Sequence, residues 1–241
     1  MTALVRVPVS DLRSGTTTLD RDTGHYVTRV RRLAASDVFV AFDPQARTEA
    51  DAEVLDANSR AGVSVAIGAL RPASLLPLRP VTLVQCVGKA DKLDAVVRDA
   101  TELGATAILP AHSDRTVAAR DSGAALGRYK RIAIEAARQC GRGDVPDIEP
   151  PRPLDEIVAN TTSTLRLLLH PDVTGDMRAL VDEHPRNASV SLVIGPEGGL
   201  SAREIAMAEA GGFALVRLGN AVLRTETAAT AALGALLVLG R

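Results

Sequence analysis

Two segments combine glycines with charge in a way that could hold a small molecule. They are Gly195-Pro196-Glu197-Gly198-Gly199 and the run Leu218-Gly219-Asn220-Ala221-Val222-Leu223-Arg224-Thr225-Glu226-Thr227-Ala228. Glycines let a backbone approach a ligand closely, and a loop opening a helix offers unpaired amides to an anion. Phosphate is a poor match for the first segment. Glu197 would set a carboxylate beside it, and neither a Gly-Lys-Ser/Thr run nor a G-x-G-x-x-G pattern is present. A ligand offering hydroxyls, amines or a positive centre suits it better; the competing structural reading is a tight turn with Glu197 in solvent. In the second segment, Arg224 and Glu226 stand at the mouth of an apolar helix, with Thr225 and Thr227 as potential caps. Burying such charges unused is costly. They are either site residues or an Arg224–Glu226 latch, and periodicity alone favours the latch.

Both segments follow short apolar runs, 190–194 and 213–218, and both lead into helical patterns. In open α/β sheets ligands sit beyond the carboxyl ends of strands, so the two loops belong to one site. The rest of the chain supplies the sheet. Residues 81–86 form a continuous apolar strand, and Lys89 opens a helix with Leu93, Val96, Val97, Ala100 and Leu103 on one face, stopped by Gly104. Strands over 105–109 and 165–169, a helix over 126–140 ended by Gly141, and helices over 202–210 and 226–239 follow. Ser201 and Glu204 have the spacing of a capping box. Alternation of this kind implies a parallel α/β sheet. Upstream of about residue 74 the runs 5–7, 38–42 and 63–67 are β-prone, with turns at Ser14-Gly15, Asp43-Pro44 and Asn58-Ser59, as in a small barrel. The proline-bearing stretch 71–80 reads as a linker.

Composition narrows the function class. A net charge of −1 does not advertise nucleic-acid binding, and 2% aromatic residues do not make a base-stacking platform. Lysine occurs only at 89, 92 and 130, so arginine carries the local basic clusters. His25, His112, His170 and His184 lie far apart, and Cys86 and Cys140 have no ligand spacing, so no metal site is expected and both thiols are assigned to the core. No apolar run reaches membrane-spanning length, and Met1-Thr2-Ala3-Leu4-Val5-Arg6-Val7-Pro8 carries no signal-peptide pattern; both point to a cytoplasmic protein.

Taken with further matches, the two loops resemble the RsmE family of SPOUT-superfamily RNA methyltransferases. The further matches are Thr101-Glu102-Leu103-Gly104 with Pro110, then Asp114-Arg115-Thr116, then Glu135-Ala136-Ala137-Arg138-Gln139-Cys140-Gly141-Arg142 with Val145-Pro146, and His25, Arg29 and Arg32-Leu33. Asn220-Ala221 departs from the arginine that relatives often carry there, and Asp114-Arg115-Thr116 stands for Glu-Arg-Ser. The resemblance implies a PUA-like RNA-binding β-barrel over 1–74 and a SPOUT α/β domain over 75–241 with a C-terminal trefoil knot. It also implies a homodimer, for which the apolar helix over 228–239 offers an interface or else an internal core element.

The implied reaction is S-adenosyl-L-methionine-dependent methylation of N3 of a uridine in 16S ribosomal RNA of the small subunit. Leu169, Gly195, Pro196, Glu197, Gly198, Gly199, Leu218, Gly219, Val222, Leu223 and Thr225 would hold the cofactor. Uracil N3 must lose its proton to become nucleophilic, and an arginine near O2 or O4 would stabilise the anion. Arg224 is the first candidate and Arg138, donated by either subunit, the second; Glu226 would orient Arg224 or take the proton, orientation being favoured. RNA contacts would fall to Arg6, His25, Arg29, Arg31, Arg32, Arg115 and Arg142, with the assembled small-subunit particle as the expected substrate. For Arg29-Val30-Arg31-Arg32 the bland reading is a solvated face. The alternatives are a SPOUT enzyme with another RNA target, or a nonenzymatic RNA-binding or assembly factor.

Overall fold

The computed structural model describes residues 5–57, 62–88, 92–116 and 123–239 of the chain. The Asn58-Ser59 turn and the Lys89 helix start fall outside these residues. The chain divides into two compact units, Met1–Leu76 with Ala137–Val145, and Pro77–Ala136 with Pro146–Arg241.

The first unit is built on a six-stranded sheet of β1 (Arg6–Pro8), β2 (Gly15–Thr18), β3 (Val38–Asp43), β4 (Thr48–Asp56), β5 (Ser64–Ile67) and β6 (Arg71–Pro72). The order is β1-β3-β4-β5-β2, with β6 on β4; β1 and β3 are parallel and the remaining pairs antiparallel. β4 is its longest strand and the sequence reading missed it, because Thr48-Glu49-Ala50-Asp51-Ala52-Glu53 lacks β-branched bulk. Pairing on both sides overrides that weak propensity, and the alternation then buries Ala52 and Val54 while Glu53 and Leu55 face out. Ser14-Gly15, read as a turn, instead leads into β2. Between β2 and β3 lies α1 (Arg21–His25), capped by Asp20, which runs into a π-helical turn over Tyr26–Val30. Glu49 is buried beneath β6 and held by Arg6 at 3.0 Å and Arg71 at 3.2 Å.

The second unit carries a seven-stranded sheet, β7 (Val81–Cys86), β8 (Ala107–His112), β9 (Asp147–Ile148), β10 (Arg152–Pro153), β11 (Leu165–Leu169), β12 (Val190–Ile194) and β13 (Ala214–Val216). Its order is β10-β8-β7-β12-β11-β13 with β9 on β8, and every pairing is parallel, as strand–helix alternation implies. The helices are α2 (Lys92–Glu102), α3 (Gly123–Cys140), α4 (Leu154–Ala159), α5 (Met177–Asp182), α6 (Ala202–Ala210) and α7 (Thr225–Leu239), the end of α3 from Ala137 on belonging to the first unit. Neighbouring strand residues serve opposite layers. Leu83, Leu167 and Leu192 pack with α2, α5 and α7, whereas Val84, Leu168 and Val193 pack with α4 and α6. This two-sided burial explains why β7, β11 and β12 read as unbroken apolar runs.

Two expectations need correction. Cys140 is exposed at the end of α3, since Gly141 turns the chain away there at φ +84°. Cys86 is buried as expected, and burial pushes its thiol up to about 12. The last strand is shorter than 213–218, because the Arg217 amide leaves the ladder to bond Gly175 O at 3.1 Å. Among the described residues no helix is long and apolar enough to cross a membrane.

Candidate active site

β11, β12 and β13 lie side by side, so the segments that follow them emerge together at one edge of the sheet. They enclose a cavity of about 570 Å³, a size suited to a nucleoside-sized ligand. Leu169, Gly195, Pro196, Glu197, Gly198, Gly199, Leu218, Val222, Leu223 and Thr225 line it, together with Arg115 and Arg224. Gly219 is not among the lining residues; it turns the loop at φ +64°. Ile194, Leu200, Val216 and Ala228 add apolar wall, while His170, Asp172 and Arg217 add polar groups that sequence reasoning did not single out.

The loop after β12 is held in three ways. Gly199 takes φ +70°, and its amide bonds Pro196 O at 2.9 Å to close the turn. Ser201 and Glu204 form the capping box expected from their spacing. Glu204 is only 1% exposed and also accepts the Asp114 amide at 2.8 Å, which draws the loop after β8 onto the start of α6. Asp114 completes that junction by accepting from Arg203 Nη2 at 2.7 Å and Ser201 Oγ at 2.6 Å, bonds that hold its carboxyl below the usual range. With its neighbour anchored, Arg115 donates from Nη1 to Gly198 O at 2.7 Å on the cavity wall.

The loop before α7 is held from beneath. Thr225 is the first residue of α7, and its hydroxyl does not cap that helix; it donates to Gly195 O at 2.8 Å. In turn it accepts from Gln85 Nε2 at 2.8 Å, a buried bond that ties the ends of β7 and β12 to α7. The Arg224–Glu226 latch does not form. Glu226 pairs instead with Lys92 Nζ at 3.2 Å, which also pairs with Glu197 at 2.9 Å, and both carboxylates raise the lysine's pKa, Glu197 first. Arg224 is left exposed on the cavity wall, with no ion-pair partner among the described residues. Gln85 and Lys92 carried no motif signal. Their only sequence clue is their place at the end of an apolar strand and the start of the next helix.

The remaining candidates belong to the first unit. Arg138 lies over the Tyr26 ring, 3.7 Å from its centre. Arg142 is buried and bonded to Asp144, and Arg6 is largely buried between Glu49 and Phe42. These two are therefore occupied by internal carboxylates. His25, Arg29, Arg31 and Arg32 are exposed around the π-helical turn.

Residues 74–237 match the RNA methyltransferase domain family. Ribosomal RNA small subunit methyltransferase E from Mycobacterium bovis is 34% identical over 234 residues, covering 92% of this chain and 86% of that protein. The chain belongs to the ribosomal RNA small subunit methyltransferase E family. A second family member, from Synechocystis, is 34% identical across 90% of this chain and 71% of its own length. The fold agrees. The crystal structure of the Neisseria gonorrhoeae ribosomal RNA small subunit methyltransferase E bound to S-adenosyl methionine superposes with a TM-score of 0.88, at 25% identity and 98% coverage of both chains.

Proposed function

We propose that this protein transfers a methyl group from S-adenosyl-L-methionine to N3 of a uridine in small-subunit ribosomal RNA. The observation that carries the reading is the cavity at the ends of β11, β12 and β13, within the region matching the RNA methyltransferase family. Its walls suit the cofactor's parts. Leu169, Leu218, Leu223 and Ala228 offer apolar surface for an adenine ring. Gly195, Gly198 and Gly199 present backbone, and at Gly195 a Cβ would crowd Leu200 Cγ at 3.2 Å. The bound cofactor supplies an electrophilic methyl on a sulfonium sulfur.

The chain's own work is positioning and charge. Holding nucleophile and methyl in line removes much of the entropic barrier. Arg224 is the residue we assign to the uracil anion, because it lies on the wall of the cavity with no ion-pair partner among the described residues. Glu226 is engaged by Lys92, so its role is to fix the start of α7. In this reading the first unit is a PUA-like RNA-binding module that meets RNA through His25, Arg29, Arg31 and Arg32, with Arg138 reaching substrate in the same or a partner subunit. The second unit is a SPOUT domain with its C-terminal loops knotted, working as a homodimer in the cytoplasm on an assembled particle.

Undermodified small subunits incubated with labelled S-adenosylmethionine should yield N3-methyluridine on nucleoside analysis of the extracted RNA. Label in another nucleoside, or in the ribose, would reassign the target; no label despite cofactor binding would move the activity to a different RNA. RNA affinity is also expected to fall steeply with salt as arginine–phosphate contacts release counterions. Cofactor affinity, measured over the same salt series, should change by less than about twofold.

A further inference from the structure

The two loops that build the cavity lie about twenty residues apart, and one ammonium group from far upstream in the chain joins them. Lys92, at the start of α2, sets Nζ 2.9 Å from Glu197 Oε1 and 3.2 Å from Glu226 Oε2. Glu197 sits in the middle of the loop after β12, on the cavity wall. Glu226 follows Arg224 and Thr225 at the start of α7, where the other loop ends. Two carboxylates drawn this close repel each other unless a cation stands between them. Lys92 is that cation.

A second contact makes the arrangement positional. Gly88, in the turn between β7 and α2, lies against Glu197, and a Cβ there would run into its carboxylate. The missing side chain at Gly88 therefore leaves the space that the Glu197 carboxylate occupies beside Lys92. Beneath this ionic bridge, the buried Gln85–Thr225–Gly195 chain ties the same two loops at their roots. The roots are fixed by neutral bonds, and Lys92 adds an ionic link between the outer halves.

We propose that Lys92 is a positioning residue for cofactor binding: it clamps the loop after β12 to the start of α7, and Gly88 leaves Glu197 the room to join the clamp. The inference rests on the reading that the cavity takes S-adenosylmethionine. It is a claim about geometry, not about the charge that the cofactor meets, and the two make different predictions. If position matters, losing the clamp weakens S-adenosylmethionine and S-adenosylhomocysteine alike. If Lys92 merely offsets the two acids, losing it favours the cationic sulfonium over the neutral thioether.

The test is calorimetric titration of the full-length protein with both ligands, for the wild type, Lys92→Met, Lys92→Arg and Gly88→Ala, with the melting temperature of each recorded. Lys92→Met is expected to weaken both ligands about tenfold, roughly the sum of a lost bridge and a new like-charge pair. Gly88→Ala changes no charge but displaces Glu197, and should weaken both by several-fold. Lys92→Arg, which keeps a cation on the same stem, should stay within about twofold of the wild type. In RNA methylation assays, KM for the cofactor should rise in Lys92→Met while kcat at saturation holds within about threefold. Wild-type affinity in both Lys92→Met and Gly88→Ala would overturn the clamp, as would tighter S-adenosylmethionine with unchanged S-adenosylhomocysteine in Lys92→Met. Should Lys92→Met fail to fold, Gly88→Ala carries the same decision. A wild-type protein that binds neither ligand would remove the cofactor reading and the clamp with it.

Discussion

Arg224→Ala is expected to cut methyl transfer by about 10² to 10³-fold while cofactor affinity stays within about twofold, the cost typical of losing one donor to a developing anion. The asymmetry follows from where the charge sits. Arg224 lies on the cavity wall, exposed, and has no ion-pair partner among the described residues. Among the described residues nothing consumes its guanidinium, so removing it should not loosen the loop, which Thr225 and Glu226 hold through Gly195 and Lys92. A guanidinium meets a uracil anion only once the N3 proton has left, so its energy belongs to the transition state. Single-turnover rates at saturating cofactor, paired with calorimetry, make the measurement. Equal loss of rate and affinity would place Arg224 in the cofactor site; unchanged turnover would remove it from the chemistry. Arg224→Lys should recover only part of the rate, since an ammonium cannot present the planar fork.

Glu204→Ala is expected to lower stability by about 3 kcal/mol, seen as a melting temperature lower by roughly 6–12 °C. Glu204 is 1% exposed and its two oxygens accept separate backbone amides, Asp114 at 2.8 Å and Ser201 at 2.8 Å. Truncation leaves two amides without their charged acceptor and removes half of the capping box. The consequence extends beyond α6. Without the Asp114 amide bond, the loop after β8 loses its anchor, and Arg115 loses the support that directs it to Gly198 O. Cofactor affinity should therefore fall together with stability. Glu204→Gln keeps the shape and one acceptor but turns an NH2 toward the other amide, so it should recover only part of the loss; equal losses in the two variants would show that both acceptor oxygens are required.

Propensity and tertiary context divide the fold between them. β7, β11 and β12 announced themselves because both faces of each strand are buried, which leaves a sequence signal that needs no partner to be read. The Ser201–Glu204 capping box was equally local, and the structure contains it. β4 was illegible for the opposite reason: Ala50, Ala52 and their acidic neighbours become strand only because β3 and β5 bracket them. α4 and α5 are six residues each, too short for their periodicity to stand out.

At the site, glycine turns and capping chemistry are set by residues close in the chain, so the two cavity-lining loops and their place behind apolar strands are legible from sequence. Which charges answer one another is settled in three dimensions. Arg224 and Glu226, two residues apart, look like a pair in sequence, yet the start of a helix parts them: Glu226 turns to Lys92 and Arg224 stays on the cavity wall. Lys92 reaches Glu226 because α2 packs on α7. Gln85 reaches Thr225 across 140 residues. Coulombic and hydrogen-bond partners are chosen by distance in space, and that distance exists only after the parallel sheet has brought the ends of β7, β12 and β11 side by side.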